Sequence, residues 1–368
     1  MASSAHLAGE LLRLSSVPSV FKAVGSRRYP ASPIEFAHRI ASTCMPMTWL
    51  CSSPGTASIL AQSYPDWELL AIDDQSTDGT PQILAAYQER DARIRPLRNP
   101  DKGVIPALRL ALEQSTGTLI TRMDADDIMA PQKLERMYTL LVAHGPGHLS
   151  TGLVKYFSDA QLGEGYARYG EWINKVNLEG RQWEEIYRDC PIPAPCWLVY
   201  REDLLRAGAF EPNIKPEDYD LIFRFRQIGL QPHTVPEVLL YWRDHEDRTT
   251  RMNEAYDMQK YFRVKLPWFL ALDHDPTREL VLWGAGPRGK TFATMLNEAK
   301  VTFRWVCDNP RKWGHQIYGV IMEEESKLRE LGPMQIIISV SSPADQITIR
   351  ALLDELELRA GVDYFWFC

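Results

Sequence analysis

Apolar residues in this chain fall into short runs separated by polar turns, and between the runs they recur with helical spacing. ELLAIDD (68–74) reads as a buried parallel strand that ends in two acids. Gln75 to Gly79 form a polar turn, Thr80 with Pro81 is a helix start, and Ile83, Leu84 and Tyr87 share one helical face. Arg93 to Leu97 fit a short strand, and Ile105, Leu108 and Leu112 mark the inward side of the next helix. Leu119, Ile120, Thr121 and Met123 predict a strand that stops at Asp124, Asp126 and Asp127, three carboxylates within four residues. Pro131 follows, then an amphipathic helix through Leu134, Met137, Tyr138 and Leu141 that ends near Gly145. LSTGLVKYF is the next strand. Residues 166–189, rich in Trp, Tyr and charge, predict helix, and CPIPAPCWLVYREDLLRAGAF predicts turn, strand and helix. Glu217, Asp218 and Asp220 open a helix whose Leu221, Ile222, Phe225 and Ile228 are inward, and LLYWRDHEDRTTR is a strand running into a polar loop.

The acidic run after Met123 carries the first chemical signal. Carboxylates at a strand's carboxyl end lie where open α/β sheets bind ligands. Crowded acids repel one another unless a cation or hydrogen-bond donors neutralise them. Mg²⁺ or Mn²⁺, held by one or two carboxylates and by substrate phosphates, meets that need. A solvated acidic turn accounts for the tetrapeptide equally well.

Four motifs stand in order: IDDQSTDGT, TRMDADD, KPEDYD and WRDHEDRTTR, with PIPAPCWLVYRED between the second and third. Over roughly residues 58 to 250 this set resembles the family 2 glycosyltransferases of bacterial type, enzymes of the GT-A fold. The resemblance implies an α/β fold with a mostly parallel sheet flanked by helices, and inverting transfer of a sugar from a nucleotide-diphosphate donor, a UDP-sugar foremost, to a saccharide, lipid-linked or protein acceptor. It assigns Asp74, and with less force Asp73, to the nucleotide's base or ribose; both acids also fit a cap on the following turn. It places the divalent cation on Asp126 together with Asp124, puts His245 beside the metal and diphosphate, and makes Asp218 the general base. Asp220 is the competitor for the last role if the register slips. Arg243, Arg248 and Arg251 surround His245 and suit a leaving group's negative charge. Lys102 fits either a phosphate contact or a solvated loop. Asp101-Lys102-Gly103 and Ala107-Leu108-Arg109 depart from the family's Asn-Lys-Gly and Ala-Leu-Asn, so Arg109 stands where the family has Asn. Trp172, Trp183 and Tyr187 lie in the stretch that shapes the acceptor side, where core packing competes with sugar stacking.

Residues 1–57 lack the Val/Ile-rich strand and the Pro-x-Tyr/Phe-Asn turn with which the family opens. Either this segment supplies the strand with unfamiliar residues, or the reading frame is shifted upstream of Ser58 and part of the nucleotide pocket is absent or remodelled; the abrupt onset at Ser58 favours the second. Residues 58–252 form the transferase domain and 253–275 a helical connector, with Tyr261, Phe262, Val264, Leu266 and Trp268 apolar. Residues 276–368 predict a small Rossmann-like domain: Gly284, Gly286 and Gly289 have GxGxxG spacing between a strand and a helix, and Asp308 ends the next strand where a ribose-binding acid belongs. A bound nucleotide and an empty structural relic both fit. An NAD(P)-linked oxidoreductase built on that domain is the alternative from another class, and a catalytically inactive nucleotide-sugar-binding protein is a third.

Composition adds boundaries. With 45% hydrophobic and 24% charged residues among 368, the chain is that of a globular protein with room for two domains. A net charge of −7 argues against nucleic-acid binding by electrostatics. No apolar run has the length of a membrane span, and MASSAHLAGELLRL has no basic start of the secretory kind. Six scattered cysteines without a CxxC pair favour reduced thiols and a cytoplasmic location, including the inner face of the membrane.

Overall fold

Each apolar run becomes a strand where turn residues bound it and both faces find cover. A computed structural model of the chain describes residues 40–44, 54–159, 162–245 and 258–368. In chain order the first part holds β1 (Ile40–Cys44), α1 (Pro54–Leu60), β2 (Trp67–Asp73), α2 (Thr80–Arg90), β3 (Ile94–Arg98), α3 (Val104–Gln114), β4 (Leu119–Met123), β5 (Ile128–Met129), α4 (Lys133–His144), β6 (His148–Ser158), α5 (Glu164–Leu178), β7 (Trp197–Tyr200), α6 (Arg201–Arg206), α7 (Glu217–Gln227) and β8 (Gln231–Asp244). These strands make one sheet in the order β3-β2-β1-β4-β7-β6-β8-β5. Strands β3, β2, β1 and β4 are parallel, and β7 runs against both β4 and β6.

The strand missing from the sequence pattern of residues 1–57 is Ile40–Cys44, which pairs with β2 on one side and β4 on the other. IASTC has too few apolar residues to announce a central strand. The remainder of that segment up to residue 53 lies outside the described residues. The register sets Cys44 beside both Ala71 and Met123, so the acids that follow β2 and β4 emerge at the same edge of the sheet. The strand order reverses at β1 and β4, the place where open α/β sheets form a ligand crevice.

Helix α5 stops at Leu178, earlier than the composition of 166–189 predicts. Gly180 has φ +68°, and the Gly180 and Arg181 amides return to the carbonyls of Asn177 and Val176, a Schellman ending. Trp183 and Tyr187 therefore sit in turns, the first donating its indole N–H to the Leu230 carbonyl and the second stacked on Phe367.

The second part holds α8 (Met258–Leu272), β9 (Glu279–Trp283), α9 (Pro287–Glu298), β10 (Arg304–Cys307), β11 (Gln316–Ile317), β12 (Val320–Glu324), β13 (Met334–Ile338), α10 (Pro343–Glu355) and β14 (Tyr364–Trp366). Its sheet runs β11-β12-β10-β9-β13-β14, and all pairs but β11 with β12 are parallel. One apolar core passes from α3 and α7 through Phe262 and Phe269 of α8 to Phe292, Phe365 and Phe367, so the helix between the two sheets is shared interior. Among the described residues no helix is long and apolar enough to cross a membrane. Cys190, Cys196, Cys307 and Cys368 are free thiols.

Candidate active site

Strand β4 is buried along its whole length and delivers the chain to the crevice at Asp124. The next residues turn back at once, because β5 pairs antiparallel with β8, Ile128 opposite Tyr241 and Met129 opposite Leu240. That pairing brings the acidic turn against the end of β8. The Asp126 carboxylate lies 2.9 Å from His245 Nε2, across 119 residues of sequence. Asp127 is fully buried and accepts the Arg243 amide at 2.8 Å. Its role is to hold the turn, whereas Asp124 and Asp126 keep about a quarter of their side-chain surface open. Arg243 extends its guanidinium to the Asp126 carbonyl at 2.9 Å and to Asp159 at 2.6 Å, so its charge is engaged beside the turn. Arg248 and Arg251 lie outside the described residues.

Arg122, buried on β4, is the residue that motif spacing does not single out. Its guanidinium donates to Asp124 at 3.0 Å and to Glu217 at 3.1 Å. It thereby ties the acidic turn to the first turn of α7, 95 residues away. An arginine two residues before the acidic turn, within an otherwise apolar strand, is the signal the sequence offers for it. Helix α7 starts there because Glu217, Asp218 and Asp220 fill its first turn and Arg224 and Arg226 its last, in accord with the helix dipole.

The two candidate bases on α7 have different surroundings. Asp218 is half-buried and accepts the Tyr219 amide at 2.8 Å. Burial, and then the neighbouring Glu217 charge, push its carboxyl up to about 7, against the pull of Arg122. Asp220 is 1% exposed, pairs with Arg224 at 2.8 Å and accepts the Trp268 indole N–H at 3.0 Å.

Around β2 the acids are partly occupied. Asp74 Oδ1 accepts from Asn99 Nδ2 at 2.6 Å and from the Gly103 amide at 2.8 Å, which fixes the start of α3. Asp73 accepts the Ser76 amide at 2.9 Å, with Arg98 3.8 Å away. Lys102 is exposed in the loop before α3. Arg109 points away from this edge and binds the carbonyls of Phe210 and Glu211 and the Asn213 side chain.

In the second unit, packing accounts for two of the three glycines. A Cβ on Gly289 would fall 2.0 Å from the Gly284 carbonyl oxygen, and one on Gly284 2.6 Å from Ser339 Oγ. Gly286 faces open space, Asp308 is exposed beyond β10, and Lys312 reaches over the turn to the Ala285 carbonyl at 2.8 Å.

Residues 55–208 match the profile of Glycosyl transferase family 2. Over that stretch, about two fifths of the chain, the protein is similar to family 2 glycosyltransferases. The matched stretch contains the Asp73–Asp74 pair and the acidic turn, while α7 and His245 follow it. EpsE of Bacillus subtilis (strain 168) is 28% identical over 220 residues, 57% of this chain and 77% of that protein. WfgD of Escherichia coli, a UDP-Glc:alpha-D-GlcNAc-diphosphoundecaprenol beta-1,3-glucosyltransferase, is 36% identical over 177 residues, 46% of this chain and 62% of that protein, which is short of two thirds of its length. Among solved structures, TarS 1-349 of S. aureus, in complex with UDP-GlcNAc, superposes with a TM-score of 0.50 at 17% identity, covering 65% of this chain and 68% of that one. At that identity the likeness is one of fold, the GT-A sheet with its flanking helices.

Proposed function

We propose that the protein transfers a sugar from a nucleotide-diphosphate donor to an acceptor hydroxyl, with a divalent cation and with inversion at the anomeric carbon. The observation that carries this reading is the Arg122 bridge, which holds the acidic turn and the Asp218 helix turn one guanidinium apart at the edge of the sheet. The donor lies across the ends of β2, β1 and β4. Asp74 meets the base or ribose with the carboxylate oxygen that does not hold Gly103, and Asp73 and Lys102 border the same side. A UDP-sugar is the donor that WfgD's name supports.

Among the described residues no three His, Cys, Asp or Glu side chains form a metal cage. The acidic turn nevertheless suits Mg²⁺ or Mn²⁺. Asp124 and Asp126 are partly open, each has one carboxylate oxygen without a hydrogen bond among the described residues, and His245 is at hand. Such an ion keeps few protein ligands and takes the rest from phosphates. When bound it stabilises the charge of the departing nucleotide. Asp218, once ionised, takes the proton from the acceptor hydroxyl as that oxygen attacks, and a single displacement inverts the centre.

The test is nucleotide release from a panel of nucleotide sugars with Mn²⁺, with Mg²⁺ and with chelator. Cation-dependent release that disappears in Asp126→Ala, and weakens in Asp124→Ala, is expected. Unchanged cation-dependent release in Asp126→Ala would falsify the metal assignment, and no release from any donor would sink the transferase reading.

A further inference from the structure

A cavity of about 510 Å³ opens where the first unit, α8 and the second unit meet, a volume in the usual range for small-molecule sites. Asp218 is in its lining. Part of the wall is aromatic: Tyr166, Tyr169 and Tyr261 are half-buried there, beside Tyr156 and Trp242, which are buried and stack on each other with ring centroids 5.0 Å apart. Such faces suit the C–H side of a sugar ring. Another part comes from the second unit. Arg288, in the first turn of α9, reaches this cavity from inside the Gly-rich turn, and the close approach of Gly289 to Gly284 pins that helix end to β9.

The other cations there are already committed. Lys265 donates to the carbonyls of Arg188 at 2.7 Å and Phe367 at 3.4 Å. Arg188 is held by Glu185 at 2.7 Å and Gln346 at 3.0 Å. Arg288 differs: it is half-buried, and among the described residues its guanidinium makes no hydrogen bond and no ion pair within 4 Å. Asp189 shares the cavity within electrostatic reach of Lys265 and Arg288, but it makes no ion pair with Arg288 within 4 Å; it accepts its neighbour Cys190's amide, and burial pushes its carboxyl up against the pull of those two cations. A fork of guanidinium donors facing a ligand cavity is suited to a carboxylate or phosphate.

We propose that this cavity is the acceptor subsite, and that Arg288 of the appended unit selects a saccharide carrying an anionic group. This rests on the glycosyltransferase reading above. The acceptor ring lies against the half-buried Tyr166, Tyr169 and Tyr261 with its anion on Arg288 and its nucleophilic hydroxyl towards Asp218. The hydroxyl proton passes to Asp218, the oxygen bonds to the donor's anomeric carbon, and the bond to the nucleoside diphosphate breaks with its electron pair leaving on the phosphate oxygen. The Gly-rich turn then serves to mount an acceptor-side arginine.

The experiment measures, by calorimetry on the full chain with Mn²⁺ and UDP, the binding of p-nitrophenyl β-D-glucuronide, N-acetylglucosamine 1-phosphate and the neutral p-nitrophenyl β-D-glucoside. At least one anionic probe should bind tenfold or more tightly than the neutral one, and which of them does so separates carboxylate from phosphate. Arg288→Gln, checked for a wild-type melting temperature, should erase that preference, about a 10–100-fold loss for a charge-assisted contact. Arg288→Lys keeps the charge and should keep part of it. Equal binding of all three probes, or an undiminished preference in Arg288→Gln, overturns the proposal. Nucleotide release from donor by the wild-type chain separates the two levels: its absence overturns the transferase reading and this proposal together, whereas its presence alongside equal probe binding overturns this proposal alone.

Discussion

Asp218 and Asp220 stand two residues apart on one helix, and their partners give them opposite consequences on mutation. Asp218→Asn keeps the size and removes the basic oxygen, so donor binding should persist while transfer at saturating donor falls about 10²–10⁴-fold. Because burial and Glu217 push the Asp218 carboxyl up to about 7, transfer should rise with pH up to that point and then level. Glu217→Gln removes the nearest like charge and should move this limb to lower pH. The same shift sets a stability signature. Between the ordinary aspartate value and about 7 the folded chain holds a proton that the unfolded chain has released, so stability falls as pH rises through that window. The melting temperature of Asp218→Asn should therefore gain on wild type from pH 4 to 7 and stay ahead beyond; a constant difference across pH would contradict it. Asp220→Asn breaks a buried pair with Arg224 and should cost on the order of 3 kcal/mol of stability, with transfer by the folded fraction retained. Thermal melts beside transfer rates separate the two acids.

Strands and turns explain what a single sequence exposes and what it hides. Trp67–Asp73, Leu119–Met123 and Glu217–Gln227 were legible because burial on both faces, or an acidic first turn, leaves a mark on local composition. Ile40–Cys44 was not, since its place comes from β2 and β4 on either side and not from its own residues. The acids of the site were legible as types in a spaced motif. The Arg122 bridge was hidden, because its partner Glu217 is 95 residues away and looks like any helix-start acid. GxGxxG spacing was plain, but close packing and phosphate contact both demand glycine, and only coordinates separate them. Gly289→Ala should lower the melting temperature whatever ligand the turn binds, because the new methyl meets the Gly284 carbonyl. Gly286→Val points into open space and should leave the melt near wild type. Calorimetry of the full chain against nucleotides then reports whether position 286 borders a phosphate: loss of a wild-type signal would say so, and an unchanged signal would put the nucleotide elsewhere.

Across the molecule, the two sheets share one apolar core through α8. Unfolding should accordingly be a single transition by near-UV circular dichroism and by loss of nucleotide binding. Phe292→Ala, in the second unit, should cost about 3–5 kcal/mol and move both probes together. Two separated transitions would show that the units melt independently. The short pairing of Ile128–Met129 with β8 has a consequence of a different kind, for the order of events as the chain folds. Strands β2, β1 and β4 gather from nearby sequence, but the partner that meets Asp126 arrives only when β8 has been laid beside β6 and closed onto β5. Contacts of such long sequence separation form late, since their loop entropy must be met first. A half-folded chain thus carries its crowded carboxylates without the imidazole that faces them, and the proposed cation site assembles only as the sheet is completed, so cation-dependent nucleotide release should return on refolding only with the last step.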